Sequence, residues 1–415
     1  MTVKKWKHSG TKKHSMSDRE IRNGLLSEKV AEEGIVLLKN DKKTLPLNIS
    51  TKIGLYGAGA GKTVKGGTGS GDVNNRSNIS IYQGLKENGI QIVSEKWLAN
   101  YESIYAEARR AWKEKILEEA KFVENPFDAY AENPFAMPEG RAVTAEDTVD
   151  AQTAIYVVSR ISGEGKDRRR VEGDYYLSRR EREDIRFLDA QKIPTVLILN
   201  SGGPVELTDI LEETENICAV LNISQLGQRG GLALANVLLG KVTPGGKLTA
   251  TWARRYEDYP CAEEYSYLNG KLEREEYKEG IYTGYRYFDT FDIPVRYCFG
   301  HGLSYTDFET KLTNIVYKAG NLDKSGEIRV SVEVRNVGER YAGKEVVQIY
   351  ASCPQNKSKK MNFGDLWHLL KQSHLNLENV RNRTSILLKG LSSYCEEKSA
   401  WIMDYGRGNV RNLDR

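Results

Sequence analysis

Four short apolar segments constrain the fold of this chain more than any other feature of its sequence. They span residues 53–56, 154–158, 195–199 and 217–221, and polar residues or glycines follow each of them. Short apolar strands that alternate with helices are typical of a mostly parallel sheet with helices on both faces. The sequence therefore predicts an α/β fold whose chemistry belongs in the loops at the carboxyl ends of the strands.

Two capping boxes mark the beginnings of predicted helices. Ser17 with Glu20 begins a helix over residues 17–40, and Ser178 with Glu181 begins another that runs to about residue 191. In a capping box, two side chains satisfy backbone amides that have no partner within the helix. Further helices are expected at 79–85 and from about residue 231, and together these helices would cover the sheet.

The pattern changes after about residue 305. Val330, Val332 and Val334 alternate with polar residues, and 346–350 is a further strand. Alternation with period two and without helices indicates the beginning of a β-sandwich. Residues 356–390 show no clean periodicity, so this second domain is expected to be incomplete. The predicted organisation is a basic tail at 1–16, an α/β domain at 17–304, a partial β domain at 305–355 and a disrupted segment at 356–415.

Composition and charge argue against several classes of function. A formal net charge of +4 over 415 residues is too small to indicate a nucleic-acid or membrane partner. The five cysteines include no CxxC pair and the five histidines are scattered, so neither a metal nor a cofactor is expected. Free thiols fit a reducing compartment and no apolar run follows the basic amino terminus, so a cytoplasmic location is expected.

The glycine-rich segment after residue 56 invites a nucleotide-binding interpretation that its spacing does not support. A phosphate-binding loop ending in Gly61 and Lys62 requires a glycine at the position of Tyr56. The dinucleotide spacing fails as well, because its third glycine would fall on Lys62 or Val64. Four glycines in residues 65–74 permit close approach of the backbone to a ligand or a partner loop. A flexible surface loop is the alternative.

A candidate catalytic carboxylate follows the most apolar of the predicted strands. Glu164 lies between two glycines, and Asp167 and Arg168 are close enough to organise its loop through charge-assisted hydrogen bonds. A loop carboxylate in such a position suits general acid/base catalysis. The alternative is a surface glutamate among other charges. A serine nucleophile is not indicated, because Ser201 lacks the preceding glycine of the nucleophile elbow.

Several collinear stretches of the chain, taken together, resemble glycoside hydrolase family 3, the β-glucosidase family. More narrowly, the chain resembles the accessory half of the circularly permuted bacterial members, over about residues 17–355. The matching stretches are EGIVLLKN at 33–40, LPL at 45–47, KGGTGSGDVN at 65–74, NPFDAY at 125–130, SRISGEGKDR at 159–168, GKVTPGGKL at 240–248, GYRYFD at 284–289, FGHGLSYT at 299–306 and EVVQIY at 345–350.

The resemblance implies an α/β-sandwich domain followed by a fibronectin-III-like domain, with a (β/α)8 barrel after both in permuted members. It also implies retaining hydrolysis, in which an Asp nucleophile forms a glycosyl-enzyme intermediate and a second carboxyl protonates the leaving group. By resemblance, Glu164 is this general acid/base, and the expected substrate is a β-glucoside or a short β-linked oligosaccharide. A separate barrel domain or further copies of the chain are the expected partners. The candidate substrate-binding residues are Lys65, Asp72, Asp167 and Arg168.

Three departures from the family pattern bear on activity. No barrel, and hence no nucleophile, is expected within these 415 residues, so the chain alone is expected to be a truncated and inactive part of a glycosidase. The family's Gln-Glu-Gly-Gly-like stretch is replaced by one in which Arg229 reverses a charge. Residues 356–390 match nothing in the family, although 393–403 resembles it again, which favours a segment read out of frame. The alternative functions are a non-catalytic carbohydrate- or partner-binding module and a nucleotide-binding α/β protein.

Overall fold

The structure, a computed structural model, describes residues 14–73, 75–162, 168–265, 273–274, 276–318 and 327–352, and four strands beyond them. The elements of the first part are α1 (Asp18–Gly34), β1 (Val36–Asn40), β2 (Ile53–Tyr56), α2 (Ile81–Glu87), α3 (Glu95–Glu119), α4 (Pro126–Glu132), β3 (Thr153–Ser159), α5 (Arg179–Ala190), β4 (Thr195–Asn200), α6 (Thr208–Glu213), β5 (Ile217–Asn222), α7 (Gly230–Leu238), β6 (Trp252–Ala253), α8 (Tyr285–Thr290) and β7 (Val295–Tyr297). The strands of the second part are β8 (Phe308–Lys318), β9 (Glu327–Asn336), β10 (Val346–Ser352), β11 (Gly364–Lys371), β12 (Asn382–Leu388), β13 (Ser393–Cys395) and β14 (Ala400–Ile402).

The first part is built on a five-stranded sheet with the strand order β1-β5-β4-β3-β2. β2, β3, β4 and β5 are parallel to one another, and β1 pairs antiparallel with β5 at the edge. Every residue of β3, β4 and β5 is buried, as expected for parallel strands that are covered on both faces. The mostly parallel α/β sandwich predicted from the sequence is therefore confirmed.

Helices α1 and α5 begin at the predicted capping boxes, and helices α2 and α7 pack closely against each other. Ser17 Oγ accepts a hydrogen bond from the Glu20 amide at 3.3 Å, and Ser178 Oγ accepts one from the Glu181 amide at 3.2 Å. α2 and α7 approach so closely that a Cβ on Gly84 would lie 2.1 Å from the Gly231 carbonyl oxygen. Only glycine permits such an approach of two backbones.

The first predicted helix is too long, because residues 36–40 form strand β1. Gly34 ends α1 and Ile35 is extended, with φ −69° and ψ 127°. The apolar residues 36–38 then lie buried in the sheet against β5, where strand pairing outweighs the helical periodicity. α3 and α4 are further elements that the apolar pattern does not predict.

The second part consists of strands, with a three-stranded sheet of order β12-β9-β8 and a pair formed by β10 and β11. Val330, Val332 and Val334 of β9 are buried with Val347 and Ile349 of β10, which confirms the period-two prediction. β11 and β12 lie in the stretch without periodicity, yet they pair antiparallel with β10 and β9. The hypothesis that this stretch is read out of frame stays a prediction. Translation of the gene in all forward frames tests it.

Candidate active site

A cavity of about 1240 Å³ opens at the carboxyl ends of β2 and β3. Its lining comes from the loop after β2, the segment after β3, and α3 and α4 with the residues that follow them. Loops converge in this way because the ends of parallel strands lie at one edge of the sheet. Lys65, Asp72 and Arg168 line the cavity, so the structure brings these candidates together. Glu164 and Asp167 lie outside the described residues.

Buried contacts hold the loop after β2 against the sheet. Gly57 has φ 90°, and a Cβ there would lie 2.3 Å from the Val157 carbonyl oxygen, so the loop can begin only with glycine. Asn200, at the end of β4, accepts a hydrogen bond from the Val64 amide at 2.7 Å and donates one to the Val64 carbonyl at 3.0 Å. The first half of this loop, residues 57–64, is therefore held against the sheet.

The Lys65 side chain joins the two ends of the glycine-rich half of the loop. Its ammonium donates to the Val73 carbonyl and to the Asn75 side-chain oxygen, and the Asp72 carboxylate lies 3.9 Å away. The Lys65 side chain is 25% exposed and the Asp72 side chain 60%. Asp72 is thus more open to a sugar hydroxyl than Lys65, and contact of either residue with substrate stays a prediction.

Replacing Lys65 with methionine should loosen this loop, because it removes the ammonium that joins the two ends. We expect amide hydrogen exchange in residues 66–73 to become several-fold faster, since loss of a charge-assisted hydrogen bond permits local opening. Deuterium labelling with mass spectrometry measures the change. Lys62→Met is the control, because Lys62 pairs with Glu102 on α3 instead. Unchanged exchange in Lys65→Met would contradict the proposed role.

Arg160 organises the segment after β3 from the inside of the protein. Its five N–H groups all find acceptors: both carboxylate oxygens of Glu181 at 2.7 Å and the carbonyls of Ser159, Asp174 and Tyr176. Burial alone would lower the pKa of Arg160, but the attraction and hydrogen bonds of Glu181 outweigh burial and raise this pKa. Arg160 therefore stays charged and ties the end of β3 to the beginning of α5.

Arg168 anchors the chain on the far side of residues 163–167. Its Nε donates to Asp174 Oδ1 at 2.8 Å, and its Nη1 donates to Ser201 Oγ at 3.2 Å and to the Pro204 carbonyl at 2.7 Å. The Asp174 carbonyl accepts hydrogen bonds from both Arg168 and Arg160. The two ends of the segment that contains Glu164 are thus tied to one residue. Arg168 makes these contacts with the protein, and its contact with substrate stays a prediction.

Helices α3 and α4 form a further side of the cavity. No candidate site residue was predicted on either helix, although the family-like stretch at 125–130 begins α4. Trp97, Tyr101, Tyr105 and Arg109 follow one another at intervals of four residues, and Trp112 comes next. This spacing places side chains on one face of a helix, and it is the signal by which this side of the cavity could have been found. Four of these five residues line the cavity, the exception being Tyr101, which stacks on Trp97 with a ring separation of 5.6 Å.

A buried carboxyl next to the cavity is structural. The Tyr156 hydroxyl donates to Asp184 at 3.1 Å, and the Val143 amide donates to the same carboxyl at 3.0 Å. Burial raises the pKa of both Tyr156 and Asp184. With a side chain only 2% exposed, Asp184 is closed to substrate. Among the described residues, no group of three or more His, Cys, Asp or Glu side chains is placed to hold a metal ion.

Arg229, which reverses a charge of the family pattern, lies outside the cavity lining. Its Nε lies 2.6 Å from Glu28 Oε2 on α1, and the Asn236 side-chain amide donates to the other Glu28 oxygen at 3.2 Å. The reversed charge is therefore neutralised between α1 and α7. Arg229 does not line the cavity, so its replacement of a glutamate affects helix packing.

Comparison with known families agrees with this architecture. The sequence model described as Glycosyl hydrolase family 3 C-terminal domain matches residues 35–305. The chain belongs to glycoside hydrolase family 3. The match covers the five-stranded sheet, helices α2 to α8 and all of the described residues that line the cavity.

Individual beta-glucosidases are similar to this chain over most of its length. Beta-glucosidase A of Butyrivibrio fibrisolvens is 34% identical over 92% of this chain and 48% of that protein. Thermostable beta-glucosidase B of Acetivibrio thermocellus is 32% identical over 82% of this chain and 40% of that protein. The structure of beta-glucosidase 3B from Thermotoga neapolitana in complex with glycerol matches with a TM-score of 0.76 and 32% identity, over 94% of this chain and 52% of that one. The chain thus spans about half of these relatives or less.

The family assignment predicted from the motifs is confirmed by these matches. A further observation concerns the helices: none of those described combines the length and the apolar character that a membrane crossing requires.

Proposed function

We propose that this chain is the sandwich part of a β-glucosidase-type glycoside hydrolase that retains configuration. One observation carries the proposal: in a chain of family 3, the described parts of 65–74 and 159–168 converge on one cavity at the carboxyl edge of the sheet. The substrate would be a β-glucoside or a short β-linked oligosaccharide. The sparse cysteines, of which Cys218 and Cys261 are free, favour a cytoplasmic location.

In the proposed mechanism, Glu164 protonates the leaving-group oxygen and then activates water. Arg160 and Arg168 assist by anchoring the chain on either side of residues 163–167. Asp72 would accept hydrogen bonds from sugar hydroxyls, and Lys65, Asp167 and Arg168 would shape or contact the same subsite. Retention requires a second carboxylate about 5 Å from the first, to attack the sugar as the nucleophile. A barrel domain would supply this nucleophile. The barrel would belong to a separate chain, or to another copy of a longer protein that contains this sequence.

The purified 415-residue polypeptide should show negligible hydrolysis of an aryl β-glucoside. The reason is that retaining cleavage needs both carboxylates, and this sequence offers Glu164 as its one credible candidate. Release of the aryl alcohol at enzyme concentrations up to the micromolar range measures this. Robust turnover that Glu164→Gln abolishes would show that the chain contains its own nucleophile.

Calorimetric titration separates this proposal from its rivals. Weak binding of glucose and cellobiose without binding of ATP is the expected result for a glycosidase part. Tight binding of an oligosaccharide by the chain alone, unaffected by Glu164→Gln and without hydrolysis in any assembly, would favour a carbohydrate-binding module instead. Binding of ATP would overturn the reading of the glycine-rich loop.

A further inference from the structure

Helices α3 and α4 and the residues behind them present a cluster of aromatic rings to the cavity. This aromatic wall consists of Tyr105, Trp112, Phe127, Tyr130 and Phe135, all of which line the cavity. Neighbouring rings have centres 5.5–5.9 Å apart, and Phe127 at the rim is 63% exposed. Clustered aromatic faces that border a cavity are suited to stacking against a ring of a ligand.

Arg109 adds a positive charge to the aromatic wall. Its guanidinium carbon lies 4.3 Å from the centre of the Trp112 ring and 4.6 Å from that of Phe135. Within the described part of the chain, Arg109 has no carboxylate at ion-pair distance, whereas the adjacent Arg110 pairs with Glu107 at 3.9 Å. A guanidinium that stacks through its face can still donate through its edge to a carboxylate.

Within the described cavity lining, Arg109 is one of two basic side chains without an ion-pair partner among the described residues. Six of the eight basic side chains pair with a carboxylate, and Arg109 and Arg169 remain. Burial raises the pKa of the Tyr105 hydroxyl, and the positive charge of Arg109 opposes that rise, so the potential of Arg109 is felt within the wall. A positive charge without an ion-pair partner at the side of a concave site attracts anionic ligands.

The position of the aromatic wall in the cavity indicates which part of the substrate it faces. A general acid protonates the glycosidic oxygen, so it lies beside the bond between the sugar and the leaving group. The wall shares its cavity with Ser162 and Arg168, the described neighbours of the segment that contains Glu164. If the proposed function holds, on which this step rests, the wall faces the leaving group.

We propose that Arg109 and the aromatic wall form a leaving-group subsite for a ring that carries a carboxylate. The ring stacks on Phe127, the most exposed ring of the wall, and the carboxylate accepts hydrogen bonds from the Arg109 guanidinium. A uronic acid residue and an aromatic acid both offer this chemistry, because each combines an apolar ring face with one negative charge.

Calorimetric titration of the full chain with two matched pairs of glucosides tests the proposal. The aromatic pair is 4-carboxyphenyl β-D-glucoside and phenyl β-D-glucoside, and the sugar pair is 4-O-β-D-glucosyl-D-glucuronic acid and cellobiose. In at least one pair, we expect the carboxylate to bind roughly tenfold more tightly, as befits a charge-assisted hydrogen bond. The pair with the larger preference identifies the source of the acid. The preference should weaken as salt is added.

Variants on neighbouring positions of α3 provide the control. Arg109→Gln should abolish the preference for the carboxylate, while Arg110→Gln, which removes the same charge one residue away, should keep it. Phe127→Ala should weaken charged and neutral members of a pair equally, because it removes stacking alone.

Three results would overturn the inference: equal affinity within both pairs, a preference that survives in Arg109→Gln, or binding of none of the four compounds. Binding of the neutral glucosides without any preference would leave the proposed function intact and reject only this subsite. Hydrolysis by an assembled enzyme decides the function separately.

Discussion

Glu164→Gln should reduce kcat/KM for phenyl β-D-glucoside by about 100- to 10,000-fold in an enzyme that contains this chain, the range of general acid/base catalysis. The enzyme for this test is a chimera in which the chain replaces the matching 48% of Butyrivibrio fibrisolvens beta-glucosidase A. Phenol is a poor leaving group and needs a proton, so the loss should be large. Initial rates of phenol release measure it.

Two controls separate loss of the acid from loss of folding. Glu172→Gln removes a carboxylate that pairs with Arg182 and lies outside the cavity lining, so we expect activity within about twofold of the parent, as for surface changes. A 2,4-dinitrophenyl glucoside needs no protonation, and its first step should survive Glu164→Gln. Azide, which needs no base, should then restore turnover and give β-glucosyl azide. Equal losses on both glucosides without azide rescue would contradict the acid/base assignment.

The parallel sheet was predictable because its strands carry their own signal. Residues of β3, β4 and β5 are apolar on both faces, which distinguishes buried parallel strands from most other elements. β1 was not predictable in the same way, since Val36, Leu37 and Leu38 continue the apolar pattern of α1. Its pairing with β5 joins residues far apart in the sequence, and local periodicity does not report such pairing.

The candidate site was predictable in position and not in its contacts. Residues that follow strand ends mark the edge of the sheet where Lys65 and Arg168 lie. The atoms that accept hydrogen bonds from Lys65 and Arg168 depend on loop geometry. Arg168, for example, donates to the Pro204 carbonyl after β4. Arg109 was missed because helical aromatic spacing usually indicates core packing, and here it also faces a cavity. Whether such a helix face lies in the core or beside a cavity depends on packing between residues far apart in the sequence.

Arg160→Met should lower the free energy of unfolding of the sandwich domain by about 3–5 kcal/mol, the range for breaking a buried ion pair by removing one partner. The Arg160 and Glu181 side chains are only 8% and 12% exposed. Methionine would leave the buried Glu181 carboxylate without its guanidinium partner, and it would remove one donor from each of three backbone carbonyls. Urea unfolding followed by tryptophan fluorescence measures the change, because Trp97 and Trp252 lie in the sandwich core.

Two further variants tie this loss to the buried pair. Arg179→Met is the matched control on the same stretch of chain: Arg179 pairs with Glu183 at 2.7 Å, but its side chain is 82% exposed, so its loss should change stability far less. Arg160→Met combined with Glu181→Leu should destabilise less than the sum of the two single changes, since no buried charge is then left alone. An unfolding midpoint for Arg160→Met equal to that of Arg179→Met would show that the Asp174 carbonyl and the end of β3 are held by other contacts, and that Arg160 does not position the chain beside Glu164.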